Sequence, residues 1–213
     1  SLKEKLNLCY QGLYVDNVSL ALADTIVRFG LPRQHFDELF LGLETDIRDD
    51  LIASYNDLEL YCYRVAVVIG LLCLFIFECD NAVSRRYAEN IGMGMQLTNI
   101  LRDLREDYGR RRIYLPPDDL EMFGLTRQTL FDESNSERLR LLVRWEGERA
   151  RKFFDEADSL YEKGLPSKLK VAGIMAAFYR EILKQLVSAK RIDGRMELTQ
   201  RQKLSIAYQA ISN

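Results

Sequence analysis

Apolar positions recur at spacings of three and four along nearly the whole chain, and no useful stretch alternates apolar and polar residues as a strand would. A first amphipathic segment carries Leu20, Ala23, Ile26 and Val27 and is stopped by Gly30-Leu31-Pro32. A second runs from about Gln34 to Ala53. The third, Asp57 to Glu78, contains the apolar run Val65 to Phe77, which at thirteen residues is shorter than the roughly 18 a membrane span needs and so predicts a buried helix. Asp80 stands where a cap would open a long segment reaching Gly109, and Pro116 and Pro117 predict a loop. Ser134 with Glu137 spells a capping box ahead of a helix to about Glu162. Gly164-Leu165-Pro166 breaks that helix, another follows from about Lys168 to Lys190, and Thr199 with Gln202 caps a last one. The pattern predicts an all-α protein of about seven or eight helices, with residues 1–213 forming a single domain.

Composition narrows the function classes. With 47% hydrophobic and 29% charged residues the chain has the makings of a globular core. A net charge of −2 and a pI near 5.6 give no electrostatic footprint for nucleic acid. Cys9, Cys62, Cys73 and Cys79 lack metal-ligand spacing, and three of them lie in or beside the greasiest region, as reduced core cysteines do. His35 is the single histidine, which leaves histidine metal sites and histidine-based triads poorly supported. The first residues lack the apolar core and cleavage site of a signal peptide. These features predict a cytoplasmic protein.

One stretch departs from this ordinary picture: QLTNILRDLREDYGRRRIYLP, residues 96–116. With Gln96 at the origin of a helical wheel, Asn99, Asp103 and Asp107 fall at about 300°, 340° and 20°, a single narrow stripe. Gly92 and Ala88 continue it backwards at about 320° and 280°, so the stripe is polar at one end and nearly bare at the other. Leu97, Ile100, Leu101 and Leu104 make an ordinary core face, and Arg102 with Glu106 has the spacing of a modest surface pair. Carboxylates one turn apart suit a hard cation such as Mg²⁺, which completes its shell with water and substrate phosphate. Arg110, Arg111 and Arg112 stand ready to grip the same phosphate. A metal–phosphate head beside a greasy slot points to a prenyl diphosphate. Each part has a plainer reading: Asp-x-x-x-Asp pairs are mostly solvated helix faces, arginine runs are mostly loops, and the amides could serve helix packing.

The same stretch closely resembles the second aspartate-rich signature of squalene and phytoene synthases, the head-to-head prenyl synthases. LELYCYRVAVVIG (58–70) resembles their tyrosine-containing signature. ALADTIVRFGLP (21–32), GLETD (42–46), FYREIL (178–183) and LTQRQKL (198–204) resemble further family segments in the expected order. The resemblance implies an isoprenoid synthase fold, a helical bundle around a central cavity. It implies Asp103 and Asp107 as Mg²⁺ ligands and catalytic residues, with Tyr61 near the reacting carbons. It implies Gln96 and Asn99 at the polar mouth, and Val65, Ile69, Gly70, Ala88 and Gly92 along the prenyl tunnel. Arg112, Tyr114 and Tyr179 look like contacts at the diphosphate end, and Asp46 matches an acidic family position. The implied reaction joins two prenyl diphosphates, farnesyl by preference, to a presqualene- or squalene-type product. The alternative is phytoene formation from geranylgeranyl diphosphate. NADPH would be needed only if the product is squalene. Products this greasy imply peripheral contact with a membrane, while the sequence leaves the oligomeric state open.

The chain also departs from the family pattern. A first Asp-x-x-x-Asp motif, on helices ahead of the segment resembling residues 1–30, has no counterpart here, as expected of a fragment. Asp46 and Asp50 have the spacing but stand in the wrong part of the pattern. Val67 replaces a frequent glycine and is expected to narrow the tunnel. Arg111 replaces the glycine of Arg-Gly-Arg-x-Tyr-Leu-Pro and is expected to be tolerated in a loop. The rival function is a non-catalytic relative acting as an assembly or lipid-binding factor; the missing motif favours it, and the retained polar stripe opposes it.

Overall fold

A computed structural model describes residues 1–48, 52–161, 165–192 and 196–212. Among these the protein is all-α, with no strand. Ten α-helices follow one another: α1 Leu2–Tyr10, α2 Asn17–Phe29, α3 Arg33–Arg48, α4 Tyr55–Cys62, α5 Val68–Ile76, α6 Ala82–Gly109, α7 Pro117–Met122, α8 Ser136–Tyr161, α9 Lys170–Ser188 and α10 Gln200–Ser212. The tally exceeds the predicted seven or eight because short helices escape periodicity. One of them, α1, is held by a full capping box at Ser1 and Glu4.

Local chemistry sets the boundaries. Asp16 caps α2, and Gly30 ends it in the left-handed conformation at φ 61°. Within α2, Ala23 and Ile26 are buried, but Leu20 and Val27 face outward. The second segment is helical over Arg33–Arg48, and Ile52 and Ala53 lie outside any helix. Asn81 rather than Asp80 opens α6, its side chain accepting from the amides of Val83 and Ser84. Asp80 pairs with Arg85 instead. Pro117 begins a short helix where a loop was expected, because proline suits a first helical position whose N–H has no partner. Ser136, after a 3-10 turn, starts α8. The capping box at Thr199 and Gln202 is present, each residue's backbone N–H donating to the other's side chain. The expected helix end at Glu162 and break at Gly164 lie outside the described residues.

The helix α6 is the axis of the bundle. It packs along α8 and against α4, α5 and α9, and its buried face includes Leu97, Ile100, Leu101 and Leu104, as the wheel predicts. A second, smaller core of Leu6, Cys9, Ala23, Ile26, Leu31 and Leu72 joins α1 and α2 to α5. All four cysteines are free, with three buried and Cys73 partly so.

Helices α4 and α5 form one continuous run joined by a π turn, Tyr63–Val67. The run Tyr55–Ile76 has the length and hydropathy of a membrane span, yet it includes Asp57, Glu59 and Arg64 and packs against α3 and α6 as a core element. Two glycines clasp the turn. A Cβ on Gly42 would lie 2.7 Å from Val65 Cγ1, and one on Gly92 would lie 2.9 Å from Val67 Cα. Val67 packs against Gly92 and is buried, so it does not narrow the cavity; Val65 and Ala66 face it instead.

Candidate active site

Between α5, α6 and α9 lies a cavity of about 430 Å³. Its walls include Val65, Ile69, Gly70, Ala88 and Gly92, the residues expected along a prenyl tunnel, and also Gln96 and Asn99. The small residues do what their size allows. A Cβ on Gly70 would stand 3.5 Å from Ala88 Cβ, in the space between α5 and α6. Periodicity in α6 did not reveal the rest of the lining. Cys73, Leu74 and Phe77 come from α5 and its end, Tyr87 from the start of α6, and Leu169, Ala172 and Met175 from in and beside α9. The antiparallel course of α5 and α6 puts Phe77 and Tyr87 at one end and Gln96 with Asn99 at the other. Twelve residues of α6 separate Tyr87 from Asn99, a rise of about 18 Å.

The side-chain amides lie at the Gln96–Asn99 end. Asn99 Nδ2 donates to Gln96 Oε1 at 3.2 Å, and Asn99 Oδ1 is buried with no hydrogen-bond partner. One and two turns further on come Asp103 and Asp107. Burial, and then the charge of Asp103, raise the Asp107 carboxyl above its ordinary range, against the pull of Arg110 and Arg112. Asp103 is gripped by its neighbour: Arg102 Nε donates to Oδ1 at 2.8 Å and Nη2 to Oδ2 at 2.6 Å. The surface pair expected between Arg102 and Glu106 is replaced by this fork, and Glu106 pairs with Arg110. Tyr179, from α9, lies beside Arg102 and, after Asp103, helps it hold its proton.

Asp46 organises the other side. Tyr61 donates to its carboxylate at 3.1 Å and Tyr114 at 2.9 Å, while Arg112 donates to its backbone carbonyl at 3.0 Å. The Tyr61 and Tyr114 rings stack with centroids 4.9 Å apart. Burial, foremost, pushes the Tyr61 phenol far above its ordinary value, so it keeps its proton and acts as a donor. Tyr114 is raised as well, chiefly by burial. The charge of Asp107 is felt at Tyr114, which joins the tyrosine cluster to the acidic stripe. Asp46 is thus engaged as an acceptor at the end of α3. Asp50, the other half of the alternative Asp-x-x-x-Asp pair, lies outside the described residues.

The donor set fits a hard cation. Two carboxylates and an unpartnered amide oxygen share one helix stripe, and oxygen ligands are what Mg²⁺ takes. Among the described residues no three His, Cys, Asp or Glu side chains gather anywhere. Mg²⁺ held by one or two carboxylates keeps coordination positions for water and phosphate.

The family profile for squalene/phytoene synthase matches residues 1–202. The chain belongs to the squalene/phytoene synthase family. Within the family, it is 34% identical over 197 residues to a phytoene synthase of Arthrospira platensis, covering 86% of this chain and 64% of that protein. It is 33% identical over 190 residues to the chloroplastic phytoene synthase 1 of Arabidopsis thaliana, covering 85% of this chain and 44% of that one. The chain thus spans between about two fifths and just under two thirds of these relatives. Among solved structures it is similar to squalene synthase HpnC from Alicyclobacillus acidocaldarius, with a TM-score of 0.79, 28% identity, and coverage of 86% of this chain and 70% of that one. A dehydrosqualene synthase crystallised with a ligand matches 99% of this chain and 76% of its own at 25% identity, with a TM-score of 0.76. The isoprenoid synthase fold expected from the sequence is the fold observed.

Proposed function

We propose that this chain forms the active-site cavity of a Mg²⁺-dependent prenyltransferase that joins two prenyl diphosphates head to head. The observation that carries the reading is the continuity of one helix face, from an apolar cavity through Gln96 and Asn99 to Asp103 and Asp107. Asn99, Asp103 and Asp107 are the residues that would hold Mg²⁺, which when bound supplies charge neutralisation to a leaving diphosphate. Arg112 and Tyr114 stand beside Asp107, and Tyr179 beside Arg102, as donors for phosphate oxygens. The apolar walls keep water from an allylic cation once the carbon–oxygen bond of one substrate ionises and diphosphate leaves. The double bond of the second chain attacks that cation, and loss of a proton closes a cyclopropane. Tyr61, held by Asp46, presents a neutral hydroxyl to this region. Ionisation of the remaining diphosphate permits rearrangement to a linear product, with NADPH called for only in the squalene case.

Two substrates compete in this reading. Farnesyl diphosphate is the one the sequence wording favours, and the squalene and dehydrosqualene synthases similar in structure support it. Geranylgeranyl diphosphate is favoured by the phytoene synthases at 33–34% identity. Supplying each labelled diphosphate with Mg²⁺ and analysing the product after phosphatase treatment separates them. The role of the stripe is tested by Asp103→Asn. Diphosphate release is expected to fall by about a thousandfold or more with the helical content unchanged; normal turnover would remove Asp103 from the chemistry. If the full-length protein forms no product from either substrate, the non-catalytic reading takes over.

A further inference from the structure

The Arg102–Asp103 fork stands out because it occupies both oxygens of a carboxylate that the proposed function gives to a cation. The contacts are short, 2.8 and 2.6 Å, and the two side chains are only 13% and 23% exposed, so water screens them little. A bidentate guanidinium–carboxylate pair of this kind is among the stronger polar contacts a protein makes. The guanidinium also has somewhere to go. It lines a second cavity of about 350 Å³ with Tyr179, Met196 and Lys203, and Met175 borders both that cavity and the apolar one. Tyr179, a hydroxyl within electrostatic reach of Arg102, lines that side.

We propose that Arg102 gates the cation site. It holds Asp103 by both oxygens, and it yields that carboxylate when a diphosphate offers the guanidinium a matching set of oxygens. Cation and diphosphate then bind cooperatively through the exchange of one arginine between two anions. Arg102 is a positioning residue in this scheme, acting on the metal through Asp103. The inference rests on the reading of Asp103 as a cation ligand, and its test separates the two.

The test is a titration with Mn²⁺ as the probe, following the magnetic resonance signal of the free ion, on the wild type and on Arg102→Gln, Arg102→Lys and Asp103→Asn. With Mn²⁺ alone, Arg102→Gln is expected to bind about tenfold more tightly than the wild type, because the competing fork is gone. Arg102→Lys keeps the charge but not the fork, and is expected to shift the same way by a smaller factor. Inorganic pyrophosphate is expected to tighten Mn²⁺ binding more on the wild type than on Arg102→Gln. Its chelation of the ion in solution is common to both proteins and cancels in the comparison. Loss of binding in Asp103→Asn with both Arg102 variants matching the wild type would overturn the gate alone. Arg102→Lys matching the wild type while Arg102→Gln gains affinity would reduce the effect to removal of a positive charge, and would also overturn it. Unchanged binding in Asp103→Asn would take down the cation reading and the gate together.

Discussion

Arg111 holds a φ of 63°, just past the end of α6. Left-handed backbone crowds any Cβ against its own carbonyl, which explains the glycine of the usual family pattern at this place. The arginine is accommodated, as a loop position suggests, but at a conformational cost. Arg111→Gly is expected to raise unfolding stability by about 1 kcal/mol in urea titrations, provided the neighbouring arginines keep their contacts. At the same scale, Tyr61 and Tyr114 share one acceptor in Asp46. That shared carboxylate explains why two tyrosines distant in sequence present hydroxyls on the same wall.

At the scale of elements, the seam between the π turn and α6 is the tightest part of the site. Gly92→Ala would place its Cβ 2.9 Å from Val67 Cα, a backbone atom that cannot rotate away. The expected loss is about 1–3 kcal/mol, read from thermal or urea unfolding. Cavity length is set at the far end of the α5–α6 hairpin, by Phe77 and Tyr87. An isoprene unit adds four chain bonds, about 5 Å when extended, which is comparable to the reach of a phenylalanine ring. Phe77→Ala is therefore expected to shift preference several-fold toward geranylgeranyl over farnesyl diphosphate, measured as the ratio of consumption rates when both are supplied. An unchanged ratio would place the end of the prenyl chain elsewhere.

At the scale of the whole molecule, a buried charged group on α8 reaches α7 through Asp119 and α4 through Tyr55. Glu146 is 2% exposed and shares Arg149 with Asp119, while the guanidinium lies 3.7 Å from the Trp145 ring centroid and 4.1 Å from that of Tyr55. Burial raises the Glu146 carboxyl, more than Arg149 lowers it. A carboxyl raised in the folded state takes up a proton on folding. Its ionised form therefore costs stability, a cost absent below the unfolded value and fully present above the folded one. Glu146→Gln, which keeps the Arg149–Asp119 pair, is expected to unfold at higher urea than the wild type in mild alkali. The difference should close as pH falls toward the ordinary carboxylate range of about 4.

Short-range periodicity accounts for the features legible in the chain alone. An α-helix repeats every 3.6 residues, so the stripe Gln96–Asn99–Asp103–Asp107, the core face of α6 and the bare positions at Ala88 and Gly92 could be drawn before any fold was known. Capping at Thr199 and Gln202 is equally local. The tertiary structure decided everything that depends on register between helices. Asp46 meets Tyr61 and Tyr114 across separations of 15 and 68 residues. Val67 packs on Gly92 and not in the cavity, a contact set by where α6 lies against the π turn. Arg102, about 100° around the wheel from Asp103, reaches it because a long flexible side chain is not bound to the face its Cα occupies. Periodicity is a property of one helix, whereas a site is a property of where several helices meet.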